Sequence, residues 1–131
     1  PQPVLREATQ PTPYGVIYFG STTPAMREAL DVLEADGQHL DALRLRAFPF
    51  PDAVSEFIAT HEKVFVVEQN RDAQMRSMLV NELHFDPARL VPVLHYDGTP
   101  ITARFIVQAI RDNIQPASAN ASAPARQKET A

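Results

Sequence analysis

The chain of 131 residues has no cysteine and no tryptophan, and only four glycines. Without thiols it has no disulfide, no zinc–thiolate site and no ligands for an iron–sulfur cluster. A reducing compartment is compatible with this, and the expected location is cytoplasmic. Excess positive charge is missing too: 12 Lys and Arg stand against 16 Asp and Glu, for a net charge of −4. The basic residues are scattered, with no patch interleaved with aromatics, so no nucleic-acid partner is expected. No apolar run approaches the roughly 18 residues of a membrane span, so no membrane partner is expected either. The dinucleotide fingerprint G-x-G-x-x-G, the phosphate-loop lysine and paired histidines at metal spacing are all absent. The chain opens at Pro1 without a signal-peptide pattern, and is read as a processed or excised piece of a longer polypeptide.

Proline, by contrast, is abundant, with 12 residues that punctuate the chain. Pro1, Pro3, Pro11 and Pro13 make residues 1–13 a lead-in, in which only Val4 to Thr9 is free to pair, as an edge strand. Residues 113–131 include "QPASANASAPARQKETA", which lacks aromatic and large aliphatic residues and is expected to form an extended tail. Residues 14–112 are left as the folded domain.

Within that domain strand and helix patterns alternate. "VIYF" (Val16 to Phe19) closes at Gly20. The helix after it is expected to have Thr23 as N-cap, Pro24 in its first turn, a buried stripe of Ala25, Met26, Ala29, Leu30 and Leu33, and a stop at Gly37. "LDALRLRA" alternates, with Leu43, Leu45 and Ala47 on one side and Arg44 and Arg46 on a wetter one. A short helix follows, burying Val54, Phe57 and Ile58. "VFVV" (Val64 to Val67) is the second dry strand. Asn70 is expected to cap the next helix, with Met75, Met78, Leu79 and Leu83 inward. "RLVPVL" carries Pro92 and belongs at a sheet edge. The last helix is expected to be capped by Thr99 or Thr102, with Ile106 and Ile110 inward.

Strand–helix repetition predicts an α/β fold with right-handed crossovers and a mainly parallel sheet of four to five strands. The dry strands belong at its centre, which predicts the spatial order "LRLRA", "VIYF", "VFVV", "LVPVL". The chain then reverses direction between the two central strands. Ligands of open α/β sheets sit at such a switch point, beside the carboxyl ends of the strands.

Two stretches meet there, "GSTT" and "EQNRD". Ser21 and Thr22 offer hydroxyls and backbone N–H groups at a helix start, which suits a phosphate or simple capping. Glu68 has the chemistry of a general base and Arg71 that of an anion clamp, yet no nucleophile or metal-ligand set accompanies them. Candidate switch-point or interface residues are Ser21, Thr22, Glu68, Asn70, Arg71 and Gln74. No complete active site is legible. A stand-alone α/β module binding a small anion in that crevice remains an alternative.

The ordered set "GVIYFGSTTPAMREALDVL", "LRLRAFPFP", "VFVVEQNRDAQM" and "VLHYDGTPIT" resembles the C-terminal domain of the alpha subunit of 2-oxoacid:ferredoxin oxidoreductases, nearest the 2-oxoglutarate type. It covers Tyr14 to Asp112. One departure is Ala73, where the family is expected to carry glycine. A helix tolerates alanine better, so the departure bears on close approach by a partner, not on the fold. The resemblance implies a transketolase C-terminal-like domain, a three-layer α/β/α unit with a five-stranded sheet and one antiparallel edge strand. It also implies a complex that decarboxylates a 2-oxoacid on thiamine diphosphate and magnesium, passes electrons through an iron–sulfur cluster to ferredoxin, and transfers the acyl group to coenzyme A. The expected partners are the beta subunit and the rest of the alpha subunit. No cofactor is expected to bind to this chain alone and no catalytic residue is carried onto it, so the candidate residues become assembly contacts.

Overall fold

The computed structural model describes residues 2–122, with side chains through 114. Five strands form one sheet in the order β1-β3-β2-β4-β5. These are β1 (Val4–Arg6), β2 (Tyr14–Phe19), β3 (Asp41–Leu45), β4 (Lys63–Glu68) and β5 (Leu90–Leu94). The three pairings among β3, β2, β4 and β5 fall as the dryness of the strands predicts and are parallel, whereas β1 runs antiparallel to β3 at the edge. The helices are α1 (Thr23–Ala35), α2 (Asp52–Ala59), α3 (Gln74–Leu83) and α4 (Ala103–Ser122). The helix α4 therefore continues past the boundary expected at 112, and the tail from 123 to 131 lies outside the described residues.

Alternation along the strands builds two cores. Val16, Tyr18, Ala42, Phe65, Val67 and Val93 face α1 and α4, meeting Met26, Leu30, Leu33, Ile106 and Ile110. Ile17, Leu43, Leu45, Val64, Val66 and Leu90 face α2 and α3, meeting Val54, Phe57, Ile58 and Leu79. Helices on both faces explain why "VIYF" and "VFVV" carry no charged residue. Gly15 permits the second core to close, because a Cβ there would lie 2.8 Å from the Phe57 ring. Pro92 costs no ladder bond, since β5 pairs only with β4.

Several local expectations are corrected. The strand β1 ends at Arg6, short of Thr9, because Ala8 N–H donates to Asp41 Oδ1 (2.8 Å) and Thr9 Oγ1 to Glu34 Oε2 (2.6 Å) instead of to a strand. Thr23 is not an N-cap. The chain leaves β2 through a tight turn at Gly20–Thr22, so Thr23 is already helical and its hydroxyl donates back to Gly20 O at 2.8 Å. The face of β3 that carries Arg44 and Arg46 is the wetter one as expected, Arg44 half-buried and Arg46 exposed, although Ala42 on the same side is fully buried beneath α1. On α3, Val80 rather than Met78 joins Met75, Leu79 and Leu83 in the second core. Gly37 does stop α1, at φ +82, with Gln38 N–H reaching Leu33 O at 2.8 Å. Of the two candidate caps on α4, Thr102 is the one used, its Oγ1 accepting from Phe105 N–H at 3.1 Å.

Candidate functional site

The loops after β2 and β4 meet at the carboxyl edge of the sheet, where they line a crevice of about 450 Å³ with Phe19, Gly20, Ser21, Thr22, Gln69, Asn70 and Gln74. This is the switch point predicted from the strand order. Its polar groups, however, are directed largely at one another.

Glu68 is the centre. It continues the alternation of Val64 and Val66 and so points toward α3, where it is 1% exposed. Its Oε1 accepts from Met75 N–H at 2.7 Å and from Asn70 Nδ2 at 2.9 Å; its Oε2 accepts from Arg76 N–H at 3.0 Å. These are first-turn N–H groups of α3, which have no partner within the helix. A buried carboxylate there satisfies two of them and faces the positive end of the helix dipole. Its own backbone carbonyl accepts from His95 N–H at 2.9 Å, tying β4 to the end of β5. A carboxylate so enclosed has no face left for substrate, so the general-base role considered for Glu68 is not supported by its geometry.

Asn70 is not the residue preceding the helix. It lies outside α3, and its Oδ1 accepts from Gln74 N–H at 3.2 Å. The helix starts later because Ala73 takes the left-handed conformation (φ 52, ψ 49), which turns the chain so that Met75 and Arg76 reach Glu68. Ala73 is thus not a helix-interior residue. The glycine expected at this position suits a positive φ, and the argument that alanine is the better residue there is overturned.

Gln69 faces the other side and was not among the candidates. Its Nε2 donates to Ser21 Oγ and to Thr22 Oγ1, both at 3.1 Å, joining the two loops across the switch point. Thr22 is 2% exposed. The alternation that sends Glu68 toward α3 sends Gln69 toward α1, and that signal was present in the sequence. Gln74 contributes its backbone and leaves its side chain exposed. Arg71 is the outlier. Its side chain is 77% exposed, and its nearest carboxylate, Asp72, is 3.8 Å away and also exposed.

Beyond the crevice the same edge carries apolar surface. The loop after β3 sets Phe48 edge-on to Phe50, with Phe48 56% exposed. With Phe19, Gly20, Ala47 and Met75 they line an adjoining hollow of about 340 Å³. After β5, Tyr96 is 59% exposed. The Asp97–Gly98 turn holds its shape through Thr99, whose N–H (3.0 Å) and hydroxyl (2.6 Å) donate to Asp97 Oδ1 and lower that carboxyl's pKa. Among the described residues no cluster of three His, Asp or Glu could hold a metal ion, and no helix is long and apolar enough to cross a membrane.

The sequence profile of a family described as pyruvate:ferredoxin oxidoreductase core domain II matches residues 13–112. No curated protein sequence matches the chain. Among solved structures, the chain is similar to a 2-oxoglutarate:ferredoxin oxidoreductase from Magnetococcus marinus, solved with 2-oxoglutarate, coenzyme A and succinyl-CoA bound. The TM-score is 0.78 with 27% identity, over 88% of this chain and 20% of that one. A split-gene transketolase, in an inactive beta4 tetramer, gives a TM-score of 0.69 at 19% identity, over 87% of this chain and 41% of that one. The alpha chain of a probable 2-oxoacid ferredoxin oxidoreductase from Thermoplasma acidophilum gives 0.58 at 22% identity, over 87% and 97%. The last two establish shared fold. The chain spans about a fifth of the length of the Magnetococcus chain.

Proposed function

Because this chain belongs to the pyruvate:ferredoxin oxidoreductase core domain II family, we propose that it is the C-terminal, non-catalytic portion of the alpha subunit of a cytoplasmic 2-oxoacid:ferredoxin oxidoreductase of the 2-oxoglutarate type. The whole complex would decarboxylate a 2-oxoacid to an acyl-coenzyme A and pass the electrons to ferredoxin. Thiamine diphosphate, magnesium and an iron–sulfur cluster would supply that chemistry. The donors in this chain do not fit those groups. It has no cysteine for a cluster, and its described acidic and histidine side chains do not converge on a metal position. No chemical step is assigned to it.

Its role in this reading is assembly with the beta subunit and the rest of the alpha subunit. The observation that carries the reading is the contrast at the switch point. Glu68, Gln69 and Asn70 are turned inward onto α3 and the loop after β2, whereas Arg71 is left exposed on the same loop, with only the exposed Asp72 near it. With the exposed Phe48 and Tyr96 on neighbouring loops, the carboxyl edge carries the arginine and aromatic side chains that anchor protein interfaces. Ser21, Asn70 and Gln74 would form the polar part of the contact, with the buried Thr22 and Glu68 holding the loops behind them.

The test is Arg71→Ala together with Phe48→Ala in the assembled complex, followed by sedimentation and steady-state kinetics. Association between subunits should weaken, while the KM for the 2-oxoacid stays within a few-fold of the parent. An intact assembly with a hundredfold loss of kcat/KM would make the crevice a ligand site and overturn the assignment.

A further inference from the structure

A second polar cluster lies on the face of the sheet opposite Glu68. Arg44 of β3 stands in register with Tyr18 of β2 on one side and Val4 of β1 on the other. In-register neighbours share a face, so Arg44 points where Tyr18 does, toward α1. Arg6 of β1 is paired with Ala42, which also faces α1. From above, α1 brings Arg27 and, four residues on, Asp31, whose carboxylate accepts from Arg6 Nη2 at 2.8 Å. Arg6, Arg27 and Arg44 thus lie on the α1 side of this sheet edge, with Arg44 the in-register neighbour of Tyr18. Burial raises the pKa of that hydroxyl, and the charges of Arg44, Arg27 and Arg6 act in the opposite direction.

The cluster lacks an acceptor. Arg44 Nε is closed off from solvent and has no hydrogen-bond partner among the described residues. Buried donors in folded proteins are nearly always paired, and an unpaired one marks a missing water, ion or ligand. Among the described residues Arg27 and the Tyr18 hydroxyl have no acceptor either. Asp31 offsets one of the three cations, so two positive charges remain uncompensated in a chain whose net charge is −4.

We infer that Arg6, Arg27 and Arg44 form a binding site for a phosphate-class dianion, either free phosphate or a phosphate monoester. The two uncompensated charges match a dianion. The guanidinium fork presents paired N–H donors suited to two oxygens of one tetrahedral group. Tyr18 adds a hydroxyl donor, and Arg44 Nε gains the acceptor it lacks. The site stands apart from the Glu68 network and does not depend on the assembly role proposed above.

The test is calorimetric titration of the full chain with inorganic phosphate and with adenosine 5′-monophosphate, at fixed ionic strength, with chloride as control. Saturable binding to one site is expected for at least one of the two. Tighter binding of the monoester identifies an organic phosphate as the occupant, and equal or tighter binding of inorganic phosphate identifies the free ion. Arg27→Ser, at an exposed position, should weaken binding about tenfold by removing one charge-assisted contact. Arg44→Met should weaken it further, with an unchanged far-ultraviolet circular dichroism spectrum. Absence of saturable binding for both anions overturns the inference. So does binding that Arg27→Ser leaves within twofold of the parent, a criterion that holds even if Arg44→Met fails to fold.

Discussion

Replacing Ala73 by glycine should stabilise the protein. Ala73 holds φ 52 and ψ 49 immediately before α3. For a residue with a Cβ, the left-handed conformation costs roughly 1–2 kcal/mol, because Cβ crowds the following carbonyl oxygen. Glycine removes that strain but loses more backbone freedom on folding, which costs about 0.4–1 kcal/mol in the other direction. The balance favours Ala73→Gly by about 0.5–1 kcal/mol, equivalent to roughly 2–5 °C in Tm for a domain of this size. The conformation itself is not optional. It lets Met75 and Arg76 N–H reach Glu68 at 2.7 and 3.0 Å while Gln74 N–H reaches Asn70 at 3.2 Å. Ala73→Val should accordingly destabilise, since a β-branched residue is a worse occupant of this region. Urea unfolding of the three proteins, with m unchanged, is the assay. The reasoning fails if Ala73→Gly lowers the midpoint, as it would if this residue were ordinary helix, where glycine is worse than alanine by roughly 1 kcal/mol.

Three further outcomes are expected. Glu68→Gln should lower stability by about 2 kcal/mol in urea unfolding, because its amide nitrogen would meet a backbone donor where a carboxylate oxygen now accepts, and a charged acceptor at the α3 N-terminus is lost; an unchanged midpoint would count against the clasp. Val66→Asp should abolish folding, seen as loss of near-ultraviolet circular dichroism, since Val66 is fully buried on a central strand and an unpaired carboxylate there has no partner. Hydrogen bonds from Thr9, and then from His39, hold the Glu34 carboxyl below its ordinary value of 4.5. A depressed carboxyl contributes stability that is present above 4.5 and lost as pH falls below it through the folded value, so the protection of the Thr9 amide against hydrogen exchange, relative to its intrinsic rate at each pH, should fall in that window, and Glu34→Gln should remove the dependence.

The sheet order was legible because dryness orders strands. "VIYF" and "VFVV" carry no charged side chain and only one hydroxyl, that of Tyr18, so both faces had to be covered, and the other strands fell to their flanks. Proline in "LVPVL" and the lead-in's short Val4–Arg6 then supplied the two edges. Helix boundaries were less legible, for a consistent reason. Thr23 and Asn70 are good capping residues by type, but in each case a turn of backbone intervenes between strand and helix. Thr23 is carried inside α1 by the Gly20–Thr22 turn. Asn70 is left outside α3 by the left-handed residue at 73. Residue type announces a helix start within a few positions, and backbone geometry decides which side chain reaches the free N–H groups.

The run "EQNRD" raises the question why a dry strand should end in so many hydrogen-bonding groups, and the alternation of the strand answers most of it. Glu68 leaves on the α3 side and closes the start of that helix. Gln69 leaves on the α1 side and clamps Ser21 and Thr22. Asn70 follows Glu68 back to Gln74. Three successive residues thus fix the two loops that an open α/β sheet normally leaves free at its switch point. A crevice whose donors and acceptors are committed to its own walls is rigid and has few open positions for a small ligand. In the assembly role proposed above, the same rigidity would give Arg71 a defined place from which to meet a partner with little further ordering on contact.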